Sequence, residues 1–223
     1  MNSSDFPYEH LSPSSINKYL ECPLKFLYYK EGRDAQWDQR YAMTGKAVHA
    51  YIQQIYGKPF DEDLELDLVI PERYQESIKG WEQIIRTNDL VPGEGMQAEE
   101  TLTYELDGVT ILGRIDLLSL GVETVRIYDW KTGQENDHDI LQARIYQWLG
   151  CHCFDKDPAL VSVHLCYLRG NPPAVKRIPY TSHSAIEGML KSKVIDPIRD
   201  MRYDARKTKG CGRCEYRHLC EAY

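Results

Sequence analysis

The segment Val125-Arg126-Ile127-Tyr128-Asp129-Trp130-Lys131 constrains this chain more than any other. Alternate side chains of a strand share a face, so Val125, Ile127, Asp129 and Lys131 point the same way. An apolar face that turns charged at its end puts a carboxylate and an ammonium at the rim of a sheet. Asp-x-Lys alone is an ordinary strand-end ion pair, so its neighbours decide what it means. Leu102, Tyr104 and Leu106 alternate with polar residues, Asp107-Gly108 marks a tight hairpin, and Val109 to Leu118 reads as the returning strand. That strand carries Leu112-Gly113-Arg114-Ile115-Asp116, and a hairpin of this size brings Asp116 near Asp129. Two carboxylates sharing a site repel each other unless a cation sits between them. Hard oxygen ligands with open positions suit Mg²⁺ or Mn²⁺. Such an ion polarises a phosphoryl oxygen and activates water, and Lys131 would stabilise developing charge or orient that water. The combination points to phosphodiester hydrolysis.

Around this pair the period of the sequence predicts an α/β chain. Ser12-Pro13 reads as a helix start, and Ser14 to Tyr29 carries apolar residues at helical spacing, interrupted at Pro23 after Cys22. Helices are expected over about Tyr41–Tyr56, Glu72–Arg86, Asp139–Cys153 and Ser184–Met201, and further strands near Val161–Leu168 and Val175–Tyr180. Helices, a strand cluster, a helix, strands and a helix make a mixed central sheet flanked by helices. No repeat or long linker divides the 223 residues, so a single domain over 1–223 is expected. Apolar residues at 42% and charged residues at 27% exclude a disordered or low-complexity chain. No apolar run approaches the roughly 20 residues of a membrane span, and MNSSDFPYEH lacks the features of a signal peptide. A cytoplasmic protein without membrane partners is expected.

The formal net charge of −7 excludes a uniformly basic nucleic-acid coat but not a local basic groove. Lys58 to Asp107 holds 14 acids and 4 bases, whereas Gly188 to Arg217 holds 9 bases and 4 acids. The basic end is either a solvated surface or a phosphate-binding run. Arg202 and Arg206 stand one turn apart if the last helix continues that far, and they are the candidate DNA contacts there.

Further motifs join Asp116 and the Asp129-x-Lys131 pair. Gly45-Lys46-Ala47-Val48-His49 gives Gly-x-x-x-His, Gly113 to Asp116 gives Gly-x-x-Asp, and Gln142-Ala143-Arg144-Ile145-Tyr146 gives Gln-x-x-x-Tyr on a helix. Alone, His49 reads as an ordinary helix histidine and Gln142 with Tyr146 as an ordinary helix pair. In this order the motifs resemble the RecB-like nucleases of the PD-(D/E)XK superfamily. That resemblance implies a restriction-endonuclease-like core. It also implies that His49, Asp116 and Asp129 hold a metal with the Trp130 main-chain carbonyl, and that Lys131 is the catalytic lysine beside Asp116 and Asp129. Gln142 and Tyr146, which share a helix face, would touch DNA. The second acidic position is Asp where many relatives carry Glu, and the superfamily accepts both. Glu99 or Glu100 is a further, weaker acidic candidate, because glutamates are abundant nearby.

Seven cysteines in a reducing compartment speak against a disulfide framework. Cys211-x-x-Cys214 followed by Cys220 makes three thiols in a polar tail. His218 would complete a zinc site, or Cys22 would complete four thiolates for an iron–sulfur cluster, and spacing does not choose between them. The resemblance does: one cysteine before the core and three after it is similar to AddB and to the CRISPR-associated Cas-four exonucleases. It implies a [4Fe–4S] cluster on Cys22, Cys211, Cys214 and Cys220 that joins residues 1–31 to 203–223. Cys151, Cys153 and Cys166 read as buried, inert thiols. A chain of this size without an ATP-binding loop is more similar to the Cas-four group. This implies a DNA exonuclease or end-trimming nuclease acting on spacer precursors beside the CRISPR integrase. Two other functions compete: a phage or mobile-element exonuclease in recombination or end repair, and a non-catalytic iron–sulfur DNA-binding subunit. The second would be expected to have lost one of His49, Asp116, Asp129 or Lys131.

Overall fold

The computed structural model describes residues 6–36, 45–50, 76, 96–169 and 173–222. The chain divides into two compact units. One is drawn from Met1–Asp38, Thr103–Leu112 and Thr181–Tyr223, the other from Gln39–Leu102 and Gly113–Tyr180.

The first unit brings both ends of the chain together. Strand β1 (His10–Leu11) leads into helices α1 (Pro13–Glu21) and α2 (Pro23–Lys30). Ser12 caps α1 by accepting from the Ser15 amide at 3.2 Å while Ser15 Oγ accepts from the Ser12 amide at 2.9 Å. That reciprocal cap satisfies two of the donors a helix start leaves open. Cys22 is extended at φ −157° between the two helices, and Pro23 has no amide hydrogen with which to continue α1. β1 runs parallel to the start of β3 (Val109–Leu120), with His10 beside Thr110 and Leu11 beside Ile111. An aromatic group of Tyr8, Tyr19, Phe26 and Tyr203 ties residues from both chain ends, with the Tyr8 hydroxyl donating to that of Tyr203 at 3.2 Å.

The expected final helix is built in pieces. Helix α5 (His183–Leu190) passes through a π-helical turn (Lys191–Ile195) into a short α6 (Asp196–Arg199). It stops there because Met201 takes φ +55°. Arg202 N–H then bonds the Pro197 carbonyl at 2.9 Å and Met201 N–H that of Ile198 at 2.9 Å. These are the 6→1 and 5→2 bonds of a Schellman cap. The helix therefore does not reach Arg206, and Arg202 and Arg206 are not one helical turn apart.

Strands β2 (Met96–Leu106) and β3 (Val109–Leu120) pair with each other. Asp107 at φ +54° and Gly108 at φ +71° join them, as the Asp-Gly pair requires of a tight hairpin. In the second unit β3 runs antiparallel to β4 (Val125–Lys131), which runs parallel to β5 (Val161–Tyr167), which runs antiparallel to β6 (Ala174–Arg177). This is the expected mixed sheet. β4 is central and is buried on both faces from Ile127 to Trp130. On one face Tyr128 and Trp130 pack with Val48, Leu117 and Cys166. Val48 belongs to α3, the helical residues 45–50; the rest of the helix expected over Tyr41–Tyr56 lies outside the described residues. So does the helix expected over Glu72–Arg86, apart from the helical residue 76.

On the other face lies α4 (Asp137–Phe154), capped by Asn136, whose side chain accepts from the Asp139 amide. Close approach needs glycine here. A Cβ on Gly150 would stand 3.0 Å from Val161 Cγ1 and 3.2 Å from Ile127 Cδ1. One on Gly113 would stand 2.7 Å from Leu149 Cδ1 and 3.0 Å from Tyr146 Cε1. Cys151 and Cys166 are buried as expected, but Cys153 is exposed. Two residues along a helix turn the side chain about 200°, so Cys151 and Cys153 cannot share a buried face. No helix among the described residues is long and apolar enough to cross a membrane.

Candidate active site

The antiparallel register places Leu117 opposite Tyr128, and one step further along the strands stand Asp116 and Asp129. Both are buried, at 8% and 2% exposure. Asp116 uses both oxygens: Oδ2 accepts from the Trp130 amide at 2.7 Å, and Oδ1 stands 3.2 Å from His49 Nδ1. The structure therefore brings Trp130 to the site through its amide N–H. Among the described residues, one group of three donors lies within 4.8 Å of one another: His49, Glu99 and Asp116. His49 and Asp116 were expected there. Glu99 had only a weak claim from sequence, and what aims it is its backbone, at φ +56° within β2. A left-handed residue inside a strand breaks the alternation and re-aims a side chain, which strand periodicity cannot foresee.

Asp129 is engaged on its other side. Lys131 Nζ stands 2.6 Å from Asp129 Oδ2 and 3.7 Å from Asp139 Oδ1. It also donates to Gln142 Oε1 at 2.8 Å. Gln142 Nε2 donates to Asp129 Oδ1 at 3.3 Å and to the Tyr146 hydroxyl at 2.7 Å. That hydroxyl donates to the Arg114 carbonyl at 2.8 Å. The Gln-x-x-x-Tyr face of α4 thus turns toward the Asp129–Lys131 pair, and Tyr146 is buried at 4% exposure. Asp139 is buried as well and accepts from the Tyr167 hydroxyl at 3.2 Å. Sequence reasoning passed over Asp139 and Tyr167, and the only local sign of Asp139 is an acid in the first turn of a helix.

The electrostatics are those of a cation site. Burial pulls the His49 imidazole down, but Asp116, and after it Asp129 and Glu99, outweigh this and raise it to about 9. In the metal-free protein at neutral pH a proton therefore sits among carboxylates. Burial pushes Asp129 up against the opposing pull of Lys131, with Asp116 adding to the rise. Burial also pulls Lys131 down, but Asp129 and Asp139 outweigh it and hold the ammonium above its ordinary range. A histidine nitrogen, buried carboxylates and a fixed ammonium fit a divalent ion of the Mg²⁺ or Mn²⁺ class beside a lysine.

The remaining candidates lie in the first unit. Arg202 pairs with Asp200, and Arg206 donates to the Leu20 carbonyl. Cys22, Cys211, Cys214 and Cys220 line one cleft. The Arg206 amide points at Cys22 Sγ at 3.3 Å and the Thr208 amide at Cys211 Sγ at 3.2 Å. The sulfurs do not converge: among the described residues no three of them, nor two with His218, lie within 4.8 Å of one another.

Comparison with known proteins bears on the family and the fold. The sequence pattern of the PD-(D/E)XK nuclease superfamily matches residues 10–221. A protein from Eubacterium rectale described as a candidate exonuclease superposes with a TM-score of 0.63 at 15% identity, over 99% of this chain and 93% of its own. The crystal structure of SSO0001 superposes with a TM-score of 0.50 at 16% identity, over 96% of this chain and 87% of its own. Among proteins with curated descriptions, none matches this chain by sequence. With 212 of its 223 residues inside the family match, this chain belongs to the PD-(D/E)XK nuclease superfamily.

Proposed function

We propose that this protein is a divalent-metal-dependent DNA nuclease that acts at DNA ends. The observation that carries this is the pairing of a donor group, His49, Glu99 and Asp116, with the buried Asp129–Lys131 pair across one strand register. His49, Asp116, Asp129 and the Trp130 carbonyl would hold Mg²⁺ or Mn²⁺. When bound, that ion supplies a Lewis acid for the phosphoryl oxygen and acidifies a water. Lys131 supplies positive charge to the scissile phosphate, where charge grows in the transition state. Gln142, fixed by Tyr146, holds the Lys131 ammonium in place, and Asp139 is a second anion facing it. Incubating the full chain with end-labelled single- and double-stranded DNA tests this. Loss of label is expected with Mn²⁺ or Mg²⁺ and not with chelator. Intact DNA under every metal condition would refute it.

A [4Fe–4S] cluster on Cys22, Cys211, Cys214 and Cys220 is part of the same proposal, supported by four thiols around one cleft and two amides aimed at their sulfurs. Zinc with tetrahedral bonds of about 2.3 Å holds its sulfurs about 3.8 Å apart. Among the described residues no three of these sulfurs lie within 4.8 Å of one another. Trimming of spacer precursors beside the CRISPR integrase, in the cytoplasm, follows only if that cluster exists. Anaerobic purification is expected to give a brown protein with about four irons per chain. A colourless protein with one zinc would remove both the cluster and the CRISPR role.

A further inference from the structure

Glu99 belongs to the group of three donors but is not among the metal ligands proposed above, and Arg114, beside it, has no role there. Arg114 Nε meets Glu99 Oε2 at 2.5 Å. The two partners differ sharply in burial, because the Glu99 side chain is 11% exposed and that of Arg114 is 70% exposed. The carboxylate is therefore fixed and the guanidinium lies on the solvent side. The carboxylate is also aimed. Glu99 holds φ +56° inside a strand, a conformation that costs a non-glycine residue free energy and persists only where the surroundings enforce it. The result is a carboxylate oxygen within 4.8 Å of the ligand atoms of both His49 and Asp116. Water solvates the exposed guanidinium when it leaves the pair, so Arg114 can give way to a cation that binds the carboxylate.

We propose that Glu99 is a further donor to the metal and that Arg114 is its exchangeable counter-ion, which holds the carboxylate in the metal-free protein and releases it as the ion enters. This deepens the nuclease reading and rests on it. Arg114 is well suited to such an exchange. Its backbone carbonyl is held by Tyr146, so the side chain can leave without disturbing the strand. The guanidinium competes with the ion for the same carboxylate, so Arg114 lowers metal affinity through Glu99.

Calorimetric titration of the full chain with Mn²⁺ alone, without DNA, tests this independently of cleavage. Glu99→Gln keeps the size of the side chain and is expected to weaken Mn²⁺ binding about tenfold or more. Arg114→Ala is expected to tighten it several-fold. In the Glu99→Gln background Arg114→Ala is expected to change nothing, since the carboxylate for which it competes is gone. Melting curves establish that each variant is folded, and Arg114→Gln, which also removes the charge, replaces Arg114→Ala if the latter is not. Wild-type Mn²⁺ affinity in folded Glu99→Gln would overturn the proposal. So would an equal effect of Arg114→Ala in both backgrounds, because Arg114 would then act only through its charge. His49→Ala and Asp116→Ala separate the two levels. If they abolish Mn²⁺ binding and Glu99→Gln does not weaken it, only the exchange fails; if none of the three weakens it, the metal site itself fails.

Discussion

Replacing Gly113 by alanine probes the coupling between packing and chemistry. The added Cβ would stand 2.7 Å from Leu149 Cδ1 and 3.0 and 3.1 Å from two carbons of the Tyr146 ring. Leu149 can give at the end of its side chain. The Tyr146 ring cannot, because its hydroxyl is bonded to the Arg114 carbonyl at 2.8 Å and to Gln142 at 2.7 Å. Overpacking of this kind costs about 1–3 kcal/mol, and alanine returns roughly 0.4–1 kcal/mol by restricting the unfolded chain. A net loss of about 1.5 kcal/mol corresponds to a fall in Tm of roughly 3–6 °C for a chain of this length. Relief of the clash moves α4 away from β3 and carries Gln142 off the Lys131 ammonium. Misplacement of such a group by a fraction of an ångström should lower turnover about tenfold, given that a full ångström costs about a hundredfold. Thermal melts and single-turnover cleavage of end-labelled DNA measure the two effects. Gly113→Ala combined with Leu149→Ala should be less destabilised than the two single variants predict together, because the closest clashing atom is gone. An unchanged or higher Tm with unchanged turnover would refute the role given to Gly113.

Gln142→Ala should lower turnover about 10–100-fold while DNA affinity, read by fluorescence anisotropy, stays near wild type; a parallel loss of affinity would instead make Gln142 a DNA contact. Lys131→Ala should lose turnover without losing Mn²⁺ affinity, since an ammonium is not a ligand, and a calorimetric titration beside the rate assay separates these. The folded-state value of His49, raised from 6.5 to about 9, makes metal-free stability depend on pH. Its contribution is complete below pH 6.5 and is lost as pH rises through about 9. Over the same window Mn²⁺ must displace that proton, so its affinity should rise with pH by up to about tenfold per unit and then level off. Denaturant melts and titrations across that window check both signs, and a pH-independent affinity would show that His49 is not a ligand.

The parts of the fold that depend on neighbouring residues were legible in the sequence. The hairpin was signalled by Asp107-Gly108 because few residues tolerate two successive left-handed positions. β4 was signalled by the length of its alternating run, and the break at Cys22 by a proline that cannot donate. What required the fold was everything set by a second element. Glu99 faces the site because of one left-handed residue inside a strand. Gln142 and Tyr146 turn toward Asp129 and Lys131 because Gly113 lets α4 approach β3. The sequence of α4 gives little warning of this, since much of the helix surface is covered and its buried residues run without a break from Ile145 to Cys151. The end of the last helix was legible to within two residues of Arg199, but its left-handed cap was not, because a methionine occupies the position that glycine normally marks.

The cleavage rate of end-labelled DNA by Asp129→Asn, set beside wild type in Mn²⁺ with melting curves for both, tests the proposed chemistry most directly. This substitution keeps the size of the side chain and removes the charge that faces both Lys131 and the metal site. A folded Asp129→Asn protein with its rate reduced at least about a hundredfold, and wild-type cleavage abolished by chelator, is the predicted result. A folded Asp129→Asn protein that cleaves at the wild-type rate would contradict the assignment of this site.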